Sequence, residues 1–574
     1  MSKEIAKNGK DYSQFSKDDL IKIVEKLETR KKYGLIWDEE KVKEQFEKDA
    51  ENALPVLKEI STKEITDKDS SKPVNILIEG DNYHALSVLN FTHQGKVDVI
   101  YIDPPYNTGA RDWKYNNDYV EASDSFRHSK WISFMYKRLA LAKNILADDG
   151  IICVTIDDYE VSRLLMIMEE IFGESNHLGT VVIRNNPKGR MTNRSVSLTH
   201  EYAIFFGKSE LSAIKKLPVA PEDKTHNYTQ DSDGSWYLAV NLRKQGIDST
   251  AVNAKGKLSD RYYPIYFDPK SGKVSTTKKY DIEILPIDPK GEKRIWRRSK
   301  DVIDEMNKKG DLWAKKVKEG YQVYYKFRGG LEGQMPKSIW SDSKFSASEY
   351  GTQILASILG AREMFQYPKS PYAVMECIRA SSDKKDAVIL DFFAGSGTTG
   401  HAVFELNRED AGNRKFIICT NDEGNIATKV CYPRIKKIIS GWKENKGFGG
   451  SLKYFKTKFV KKNANGDDFK TRITHECTEM LCLREGVFDE VKKTDHYRTF
   501  QKGDKTLAVY YSLDRKFLPT LKKELEKMDG EKILYCFTLD ATGLSKTEFA
   551  NWHGVTLEPI PQKILDVYKQ IYEY

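Results

Sequence analysis

The stretch VIYIDPPYNTG, residues 99–109, joins a run of strand-forming residues directly to an acid, two prolines and a tyrosine. Proline lacks a backbone N–H and has a fixed φ, so the pair can continue neither a strand ladder nor a helix. Asp103 and Tyr106 are therefore expected at the end of a strand, on a stiff backbone that presents a carboxylate and an aromatic ring to a ligand. Any ordinary strand can end in the same way, so this motif alone does not distinguish a binding site from a turn.

A glycine-rich stretch, AVILDFFAGSGTTGHAVFEL at residues 387–406, is the second candidate site. It reads as a strand, a turn and a helix in which Gly395, Gly397 and Gly400 match the G-x-G-x-x-G pattern of nucleotide-binding folds. The acids Asp422 and Glu423 follow roughly 20 residues later, as that pattern expects. We predict a cofactor site, and a tight structural turn is the alternative.

The residues around the glycines limit the choice of cofactor. No lysine follows the turn, which argues against a triphosphate-binding P-loop. The glycines alone fit a dinucleotide, but Asp391 at the end of the predicted strand would repel a pyrophosphate. The same carboxylate suits a cationic amino-acid group, which points to S-adenosylmethionine.

The bulk composition is that of a globular protein of several domains, with 574 residues, 39% hydrophobic and 31% charged. No apolar run is long enough to span a bilayer, and the N-terminal residues lack the apolar core of a signal peptide. The seven cysteines form no CxxC pair, so we interpret them, including Cys477 and Cys482 near His475, as buried thiols without a metal. These features predict a cytoplasmic protein. The net charge of +9 permits a nucleic-acid partner without requiring one.

The order of apolar patterns predicts an interrupted α/β fold. Short Val/Ile-rich strands such as VNILIEGD and VDVIYID alternate with helical patterns, which is typical of a parallel sheet covered on both faces. At the N-terminus, Leu20, Ile23, Val24 and Leu27 recur at helical spacing. We predict an N-terminal helical region (1–70), a first half of the sheet domain (71–210), an irregular or β-rich insertion (211–349), a second half (350–445) and a C-terminal α/β domain (446–574).

Taken together, DPPY at 103–106 and DFFAGSGTT at 391–399 resemble the amino-group DNA methyltransferases. The catalytic motif precedes the cofactor motif with a long insertion between them, which is the order of the β class. NILIEGDNYHAL and YPKSPYAVMECIRA are further matches to the same family, and the tail segments CTEMLCLREGVFDE and PIPQKILDVYKQIY are similar to the modification subunit of type III restriction-modification systems. The resemblance implies a Rossmann-like S-adenosylmethionine-dependent methyltransferase fold with an inserted target-recognition domain and a separate C-terminal α/β domain.

The resemblance gives the DPPY motif a chemical role. An exocyclic base amine is a poor nucleophile because its lone pair is delocalised into the ring. Asp103 and the carbonyl of Pro104 would accept its two hydrogens, with Pro105 fixing the backbone, while Tyr106 would stack on the base once it is flipped out of the duplex. An aspartate at the head of the motif favours adenine over cytosine.

The resemblance also assigns the cofactor contacts. The methionine part would meet Asp391 and the turn, the adenine would meet Asp81, and the ribose would meet one of Asn421, Asp422 or Glu423. Thr420 stands where many relatives carry the ribose acid, so the choice among those three stays open. Lys369 is expected near the cofactor. The residues expected to form the turn itself are Phe393, Ala394, Gly395, Ser396, Gly397 and Thr398.

DNA reading requires basic and amide side chains on phosphates and base edges. Any single basic run is more often a solvated surface, but several such runs lie between the two halves of the fold. The candidate DNA contacts are Asn107, Arg184, Lys188, Arg190, Arg294, Arg297, Arg298, Lys326 and Arg328.

The predicted partners are double-stranded DNA, a second copy of the chain and a separate restriction subunit with helicase and nuclease activity. Three alternatives remain at this stage. One is a stand-alone DNA methyltransferase acting on adenine N6 or cytosine N4. The others are a dinucleotide (NAD-type) oxidoreductase, and a DNA-binding protein that keeps an inactive methyltransferase fold.

Overall fold

The computed structural model describes residues 52–69, 71–115, 118–121, 123–124, 126–189, 196–218, 228–253, 255–318, 320–328, 333–462, 465–540 and 542–572, together with Ser16, Lys17 and Ile21. The described residues form two compact units. One contains 1–215 and 337–574, and the other contains 216–336. Among the described residues, no helix is both long and apolar enough to cross a membrane.

The strands before the second unit alternate with three helices, as the apolar patterns predict. The strands are β1 (Ala53–Glu59), β2 (Val74–Glu79), β3 (Val97–Ile102), β4 (Ala110–Tyr115), β5 (Asp118–Glu121), β6 (Leu146–Ile156), β7 (His177–Ile183) and β8 (Glu201–Gly207). The helices are α1 (Asn82–Thr92), α2 (Arg127–Ile145) and α3 (Val161–Phe172).

The unit 216–336 is mainly β-structure, in agreement with the expected insertion, but it is shorter at both ends than the predicted 211–349. Its strands are β9 (Thr229–Gln230), β10 (Trp236–Asn241), β11 (Ile265–Phe267), β12 (Val274–Ser275), β13 (Ile282–Ile284), β14 (Leu312–Lys316) and β15 (Tyr321–Phe327). One helix, α4 (Lys300–Lys308), packs on them through Ile303.

The chain then completes the first unit. The strands are β16 (Ile339–Trp340), β17 (Val388–Asp391), β18 (Lys415–Thr420), β19 (Gly441–Trp442), β20 (Asn445–Lys446), β21 (Ser451–Lys461), β22 (Asp489–Lys493), β23 (Tyr497–Lys502), β24 (Lys505–Tyr510), β25 (Glu531–Phe537) and β26 (Val555–Ile560). The helices are α5 (Gln353–Leu359), α6 (Pro371–Ser381), α7 (Thr398–Asp410), α8 (Tyr432–Ser440), α9 (Gly466–Glu476), α10 (Thr478–Glu485), α11 (Leu518–Glu526) and α12 (Gln562–Tyr572). Short 3-10 turns lie at Ser61–Lys63, Glu174–Asn176, Ile247–Ser249, Ser343–Phe345, Glu423–Asn425 and Arg515–Phe517, and π-helical turns at Ala347–Thr352 and Ile426–Cys431.

A ten-stranded sheet organises the first unit in the order β1-β21-β2-β18-β17-β3-β6-β8-β7-β16. The run from β21 to β6 is parallel, and β17 pairs with β3 through Ile389↔Val99 and Leu390↔Ile100. From β17 the chain passes through α7 to β18 on one side, and from β3 it passes through α2 to β6 on the other. Strand order therefore reverses between β17 and β3. Open α/β sheets bind ligands at such a switch point, beyond the carboxyl ends of the strands.

Two expectations about the chain ends are corrected. Residues 53–59 of the predicted N-terminal helical region (1–70) form the strand β1, whereas the isolated described residues Lys17 and Ile21 are helical. Leu20, Ile23, Val24 and Leu27 lie outside the described residues. The segment ALPVL is apolar without helical spacing, and Pro55 is tolerated because β1 is the edge strand of its sheet.

The tail forms its own five-stranded sheet, β22 to β26, but it is not a separate unit beginning at 446. Residues 451–461 form β21, which joins the large sheet between β1 and β2. Tail residues such as Leu481 and Leu507 share one apolar core with α1 and β3. The Tyr568 hydroxyl also donates to the carbonyl of Pro55. All seven cysteines are buried, as predicted, and none forms a disulfide.

Candidate functional site

The DPPY loop begins where β3 ends and is held by the neighbouring elements. Trp131 of α2 donates from its indole N–H to the carbonyl of Pro105 at 2.7 Å. Asn107 has a φ of 55° and is completely buried, and its amide donates to Glu160. The prediction that Asn107 contacts DNA is therefore corrected for this structure, because its side chain stabilises the loop from inside.

The side chains around Asp103 contact its carboxylate through one of its two oxygens, Oδ1. Oδ1 accepts from the hydroxyl of Thr155 at 2.8 Å and lies 2.9 Å from the hydroxyl of Tyr106. The ammonium of Lys369 is 3.1 Å from the same oxygen. Within the described part of the chain, no donor contacts Asp103 Oδ2 or the carbonyl oxygen of Pro104. The two acceptors expected to bind an amine are thus both without a protein donor.

Glu201, the first residue of β8, is a member of this site that sequence reasoning missed. Glu201 is 1% exposed. Its Oε2 accepts hydrogen bonds from Lys369, from Asn185 and, at 3.0 Å, from the hydroxyl of Tyr106. The sequence THEYAIFF reads as an ordinary buried strand, and only the inward direction of an acid at its start could have marked Glu201. Lys369 was predicted near the cofactor, and the structure brings it into contact with the DPPY loop.

The electrostatics of this cluster keep Tyr106 neutral and Lys369 charged. Burial, together with the charges of Asp103 and Glu201, raises the pKa of Tyr106 well above its usual value. Burial alone would lower the pKa of Lys369, but Asp103 and Glu201 outweigh it and the pKa is raised. The ammonium also lies 4.9 Å from the centroid of the Tyr106 ring. Lys369 therefore links two acids and an aromatic ring in one buried group.

The glycine turn follows β17 and begins with Asp391. Its Oδ1 accepts from the N–H of Phe393 at 2.8 Å, and its Oδ2 accepts from the hydroxyl of Thr399. Burial raises the pKa of Asp391 to about 7, since it outweighs these two hydrogen bonds, and the nearby charge of Asp103 acts in the same direction. Asp103 is thus close enough for its charge to influence the ionisation of Asp391.

The turn itself depends on glycine for two reasons. Gly395 and Gly397 have φ values of 47° and 80°, where other residues are strained. A Cβ on Gly397 would lie 3.0 Å from the sulfur of Cys431, and one on Gly400 would lie 2.7 Å from Ile435. Close packing against the segment 426–440 therefore accounts for part of the motif, in addition to the approach of a ligand. Ala394, Ser396 and Thr398 are buried within the same turn.

A second set of contacts borders the turn on the side of β2. Asp81 caps α1 by accepting from the N–H of Tyr83 at 2.8 Å. Asn82 donates to the carbonyl of Phe392 at 3.0 Å and accepts from Arg138 of α2. Arg138, which sequence reasoning also missed, is 3.5 Å from Asp81 and stacks on Phe134 at 3.7 Å from the ring centroid. The Phe134 ring in turn contacts Phe393.

The acids after β18 are not equivalent. Asp422 accepts from the N–H and the hydroxyl of Thr428, both at 2.9 Å, and so stabilises the turn that follows. Asn421 and Glu423 are exposed beyond the end of β18. This arrangement favours Asn421 or Glu423 over Asp422 as a ligand for a ribose.

The basic residues predicted to face DNA divide into two groups. Arg184, Lys188 and Arg298 are exposed, and Arg190 lies outside the described residues. The remainder have partners inside the unit 216–336. Arg294 pairs with Asp288 at 2.8 Å, Lys326 with Asp231 at 2.7 Å, Arg328 with Asp231 and Asp311, and Arg297 donates to the carbonyl of Asn241.

Comparison with known proteins agrees with this geometry. Residues 97–430 match the N6/N4 methyltransferase family, whose description is DNA methylase. The type II methyltransferase M.KpnI of Klebsiella pneumoniae is 35% identical over 62% of this chain and 82% of its own length. The EcoPI Mod subunit of Escherichia phage P1 is 32% identical over 62% of this chain and 59% of its own length. The StyLTI Mod subunit of Salmonella typhimurium is 28% identical over 76% and 65%. The chain thus spans less than two thirds of either Mod subunit.

The match runs from β3 through the insertion to the segment after β18, and so contains both the DPPY loop and the glycine turn. It excludes the dinucleotide oxidoreductase alternative and confirms S-adenosylmethionine as the cofactor. The residues present fit that cofactor, because a buried acid and a glycine turn lie together at the switch point of the sheet. By sequence and by the arrangement of its site, the chain belongs to the N6/N4 DNA methylase family.

Proposed function

We propose that the chain methylates the exocyclic N6 amine of an adenine flipped out of double-stranded DNA. The observation that carries this proposal is the pairing of β3 with β17, because Asp103 follows one strand and Asp391 ends the other. The choice of adenine rests on the aspartate at the head of DPPY, a family-level inference.

In the proposed mechanism, Asp103 Oδ2 and the carbonyl of Pro104 accept the two hydrogens of the amine and free its lone pair. Thr155 and Lys369 fix the carboxylate through Oδ1, so that Oδ2 is held in one direction. S-adenosylmethionine, when bound, supplies an electrophilic methyl group. Positioning of the two reactants then provides most of the rate, and no strong base is required.

Glu201 is assigned a positioning role in this mechanism. The ammonium of Lys369 would neutralise Asp103 if it were free to pair with that acid alone. Because Lys369 also pairs with Glu201, its charge is shared between two carboxylates. Glu201 thereby keeps Asp103 able to accept a hydrogen from the substrate.

The unit 216–336 is the proposed DNA-reading module. It contains 24 basic and 17 acidic residues, and so accounts for +7 of the chain's net charge of +9. Since several of its arginines and lysines are paired internally, we look for base contacts on another surface of the unit. The exposed basic residues Arg184, Lys188 and Arg298 remain candidates for phosphate contacts.

That surface, which we name the aromatic face, is formed by alternate residues of β10, β14 and β15. The rings of Trp313 and Tyr324 stack at 5.9 Å, and Tyr237 contacts Trp313 edge-on. The amides of Asn241 and Gln322 bond to each other at 3.0 Å. The intervening residues Leu312, Val323 and Tyr325 point the other way into the core, as strand geometry requires. Stacking rings beside amides provide the chemistry that base recognition needs.

We further propose that the chain is the modification and recognition subunit of a type III system, as the names of the two Mod relatives suggest. In that role it would act as a homodimer in the cytoplasm beside a restriction subunit. The 82% coverage of M.KpnI favours a stand-alone methyltransferase as the second candidate. A neighbouring gene for a helicase-nuclease supports the first candidate, and sedimentation as a monomer at micromolar concentration would contradict the dimer.

The function is tested by transfer of a tritiated methyl group from S-adenosylmethionine to DNA. We expect Asp103→Ala to lower the rate by about 100-fold or more, because the amine loses an acceptor. Asp148→Ala, an exposed acid near the start of β6, serves as the matched control with an unchanged rate. Hydrolysis of the labelled DNA to nucleosides identifies N6-methyladenine or N4-methylcytosine. The proposal would be disproved if the wild-type chain transferred no label to DNA, or if Asp103→Ala kept full activity.

Glu201→Gln should lower kcat by roughly 10- to 100-fold, because Lys369 then pairs with Asp103 alone and misplaces it. Binding of S-adenosylhomocysteine, measured by titration calorimetry, should stay within a factor of about two of wild type. Glu210→Gln, an exposed acid just after β8, should change neither quantity. Equal losses in kcat and in ligand binding would instead indicate a general disturbance of the fold.

Cofactor binding should depend on pH through Asp391, whose pKa of about 7 makes it largely protonated below neutrality. The ammonium of the cofactor favours the ionised acid, so the affinity for S-adenosylhomocysteine should rise between pH 6 and 8 and then level off, which spans about one unit on either side of that pKa. 5′-Methylthioadenosine lacks the amino-acid end, and its affinity should stay constant across the same range. A wild-type profile for S-adenosylhomocysteine that is equally flat would contradict this prediction.

The aromatic face is tested by DNA binding. Trp313→Ala should weaken binding of the recognised duplex by about 10-fold, which is within the range for loss of one stacking contact. Lys315→Ala should reduce the slope of log affinity against log salt by about one if this lysine contacts a phosphate. Lys308→Ala is the control, because α4 packs on the core side of the sheet. Loss of binding in the control but not in Lys315→Ala would place the interface elsewhere.

A further inference from the structure

A completely buried arginine lies behind the glycine turn. Arg434, in the first turn of α8, is 0% exposed. Its Nη1 donates to the hydroxyls of Ser396 at 3.0 Å and Thr398 at 2.9 Å, and to the carbonyl of Ser396 at 3.3 Å. Its Nη2 lies 3.2 Å from Nδ1 of His401, while its Nε has no partner within the described residues. All of its contacts are therefore to neutral groups of the turn and of α7.

This charge has no counter-ion in the part of the chain that the structure describes. No carboxylate lies within 4.0 Å of the guanidinium, and the acid of Glu405 contacts His401 instead. Burial lowers the pKa of His401 to about 4, so this imidazole is neutral at pH 7. Burial also lowers the pKa of Arg434 to about 10, which still leaves the guanidinium charged at pH 7. A buried charge without a partner is costly, and an anion placed nearby removes much of that cost.

The hydroxyls that Arg434 contacts can carry its influence through the turn. A hydroxyl that accepts from a guanidinium keeps its own O–H for another acceptor. The hydroxyl oxygens of Ser396 and Thr398 are 3.2 Å apart, so one hydroxyl can donate to the other. The hydroxyl that accepts this hydrogen bond keeps its own O–H, which needs a further acceptor. The N-terminal amides of α7 begin at the same place, and Gly397 caps them without a side chain. Donors and positive charge thus converge on one side of the turn.

We infer that Arg434 selects the carboxylate at the amino-acid end of the cofactor, acting through Ser396 and Thr398. The inference rests on the proposed cofactor site. The methionine part of S-adenosylmethionine is a zwitterion, and the two buried charges match its two ends. Asp391, before the turn, suits the ammonium, and Arg434, behind the turn, suits the carboxylate. Arg434 is a positioning residue, since its guanidinium lies beneath the turn and the hydroxyls stand between it and the ligand.

Ligands that differ only in the amino-acid end separate this role from support of the fold. Binding to the full chain is measured by titration calorimetry with S-adenosylhomocysteine, which has the carboxylate, and with 5′-methylthioadenosine, which lacks the whole amino-acid end. Arg434→Met should weaken S-adenosylhomocysteine by about 10-fold or more, the size expected for hydrogen bonds to a charged group. It should change 5′-methylthioadenosine by less than about twofold.

Decarboxylated S-adenosylmethionine keeps the ammonium and loses only the carboxylate. Its affinity should be nearly the same for the wild type and Arg434→Met, and Arg434→Lys should restore part of the preference for the carboxylate ligand. Arg434→Gln keeps a hydrogen bond to the hydroxyls without the charge, and replaces the methionine variant if that variant does not fold. Equal weakening of all three ligands would overturn the inference. A wild-type chain that binds none of them would refute the cofactor site itself.

Discussion

The pairing of β17 with β3 is the constraint on which the site depends. Chain connections leave these two strands in opposite directions, so their carboxyl ends are not covered by a crossing helix. Parallel register, with Leu390 opposite Ile100, brings Asp391 near the start of the DPPY loop, although the two motifs are separated by the whole insertion. Most residues of both strands are buried, so sliding of one strand past the other would expose Ile389, Leu390 and Ile100 or leave voids in the core. Core packing therefore fixes the distance between Asp103, the proposed acceptor for the base, and Asp391, the proposed acid for the cofactor.

The crevice at the carboxyl ends of β17 and β3 contains buried charges. Their burial costs free energy when no ligand is bound. Burial raises the pKa of Asp391, and Arg434 lies beneath the turn with no acid beside it among the described residues. Lys369, Glu201 and Asp103 form a group with one cation for two acids. Each of these arrangements lowers the stability of the folded state, and the continuous apolar core that joins the sheet to the tail offsets it. The opposite charges of a zwitterionic ligand would reduce the free-energy cost of burying Asp391 and Arg434. This reduction would contribute to the affinity for the ligand.

The sequence predicted those parts of the fold that neighbouring residues determine. The Val/Ile strands, the proline-stiffened loop after β3 and the glycine turn before α7 were predictable because neighbouring residues are sufficient to form them. Glu201, Thr155 and Arg434 were missed because their roles arise only when β8, β6 and α8 pack beside the two motifs. The same limit explains β21, whose place between β1 and β2 depends on pairing with distant strands. It also explains Arg294, Lys326 and Arg328, whose basic runs gave no sign of their acidic partners.

In the proposed function, the division into two units separates the chemistry from the reading of DNA. The unit 216–336 has its own core, built from residues such as Leu242, Trp296 and Val323, and its strands pair only among themselves within the described residues. A change on its aromatic face therefore leaves the core of that unit and the register of the ten-stranded sheet intact. Changes at the crevice have no such freedom, because Asp103, Lys369 and Glu201 hold one another through shared oxygens. With the proposed roles, the recognised DNA sequence can change by substitution on the aromatic face, whereas the reaction requires the whole cluster to be kept.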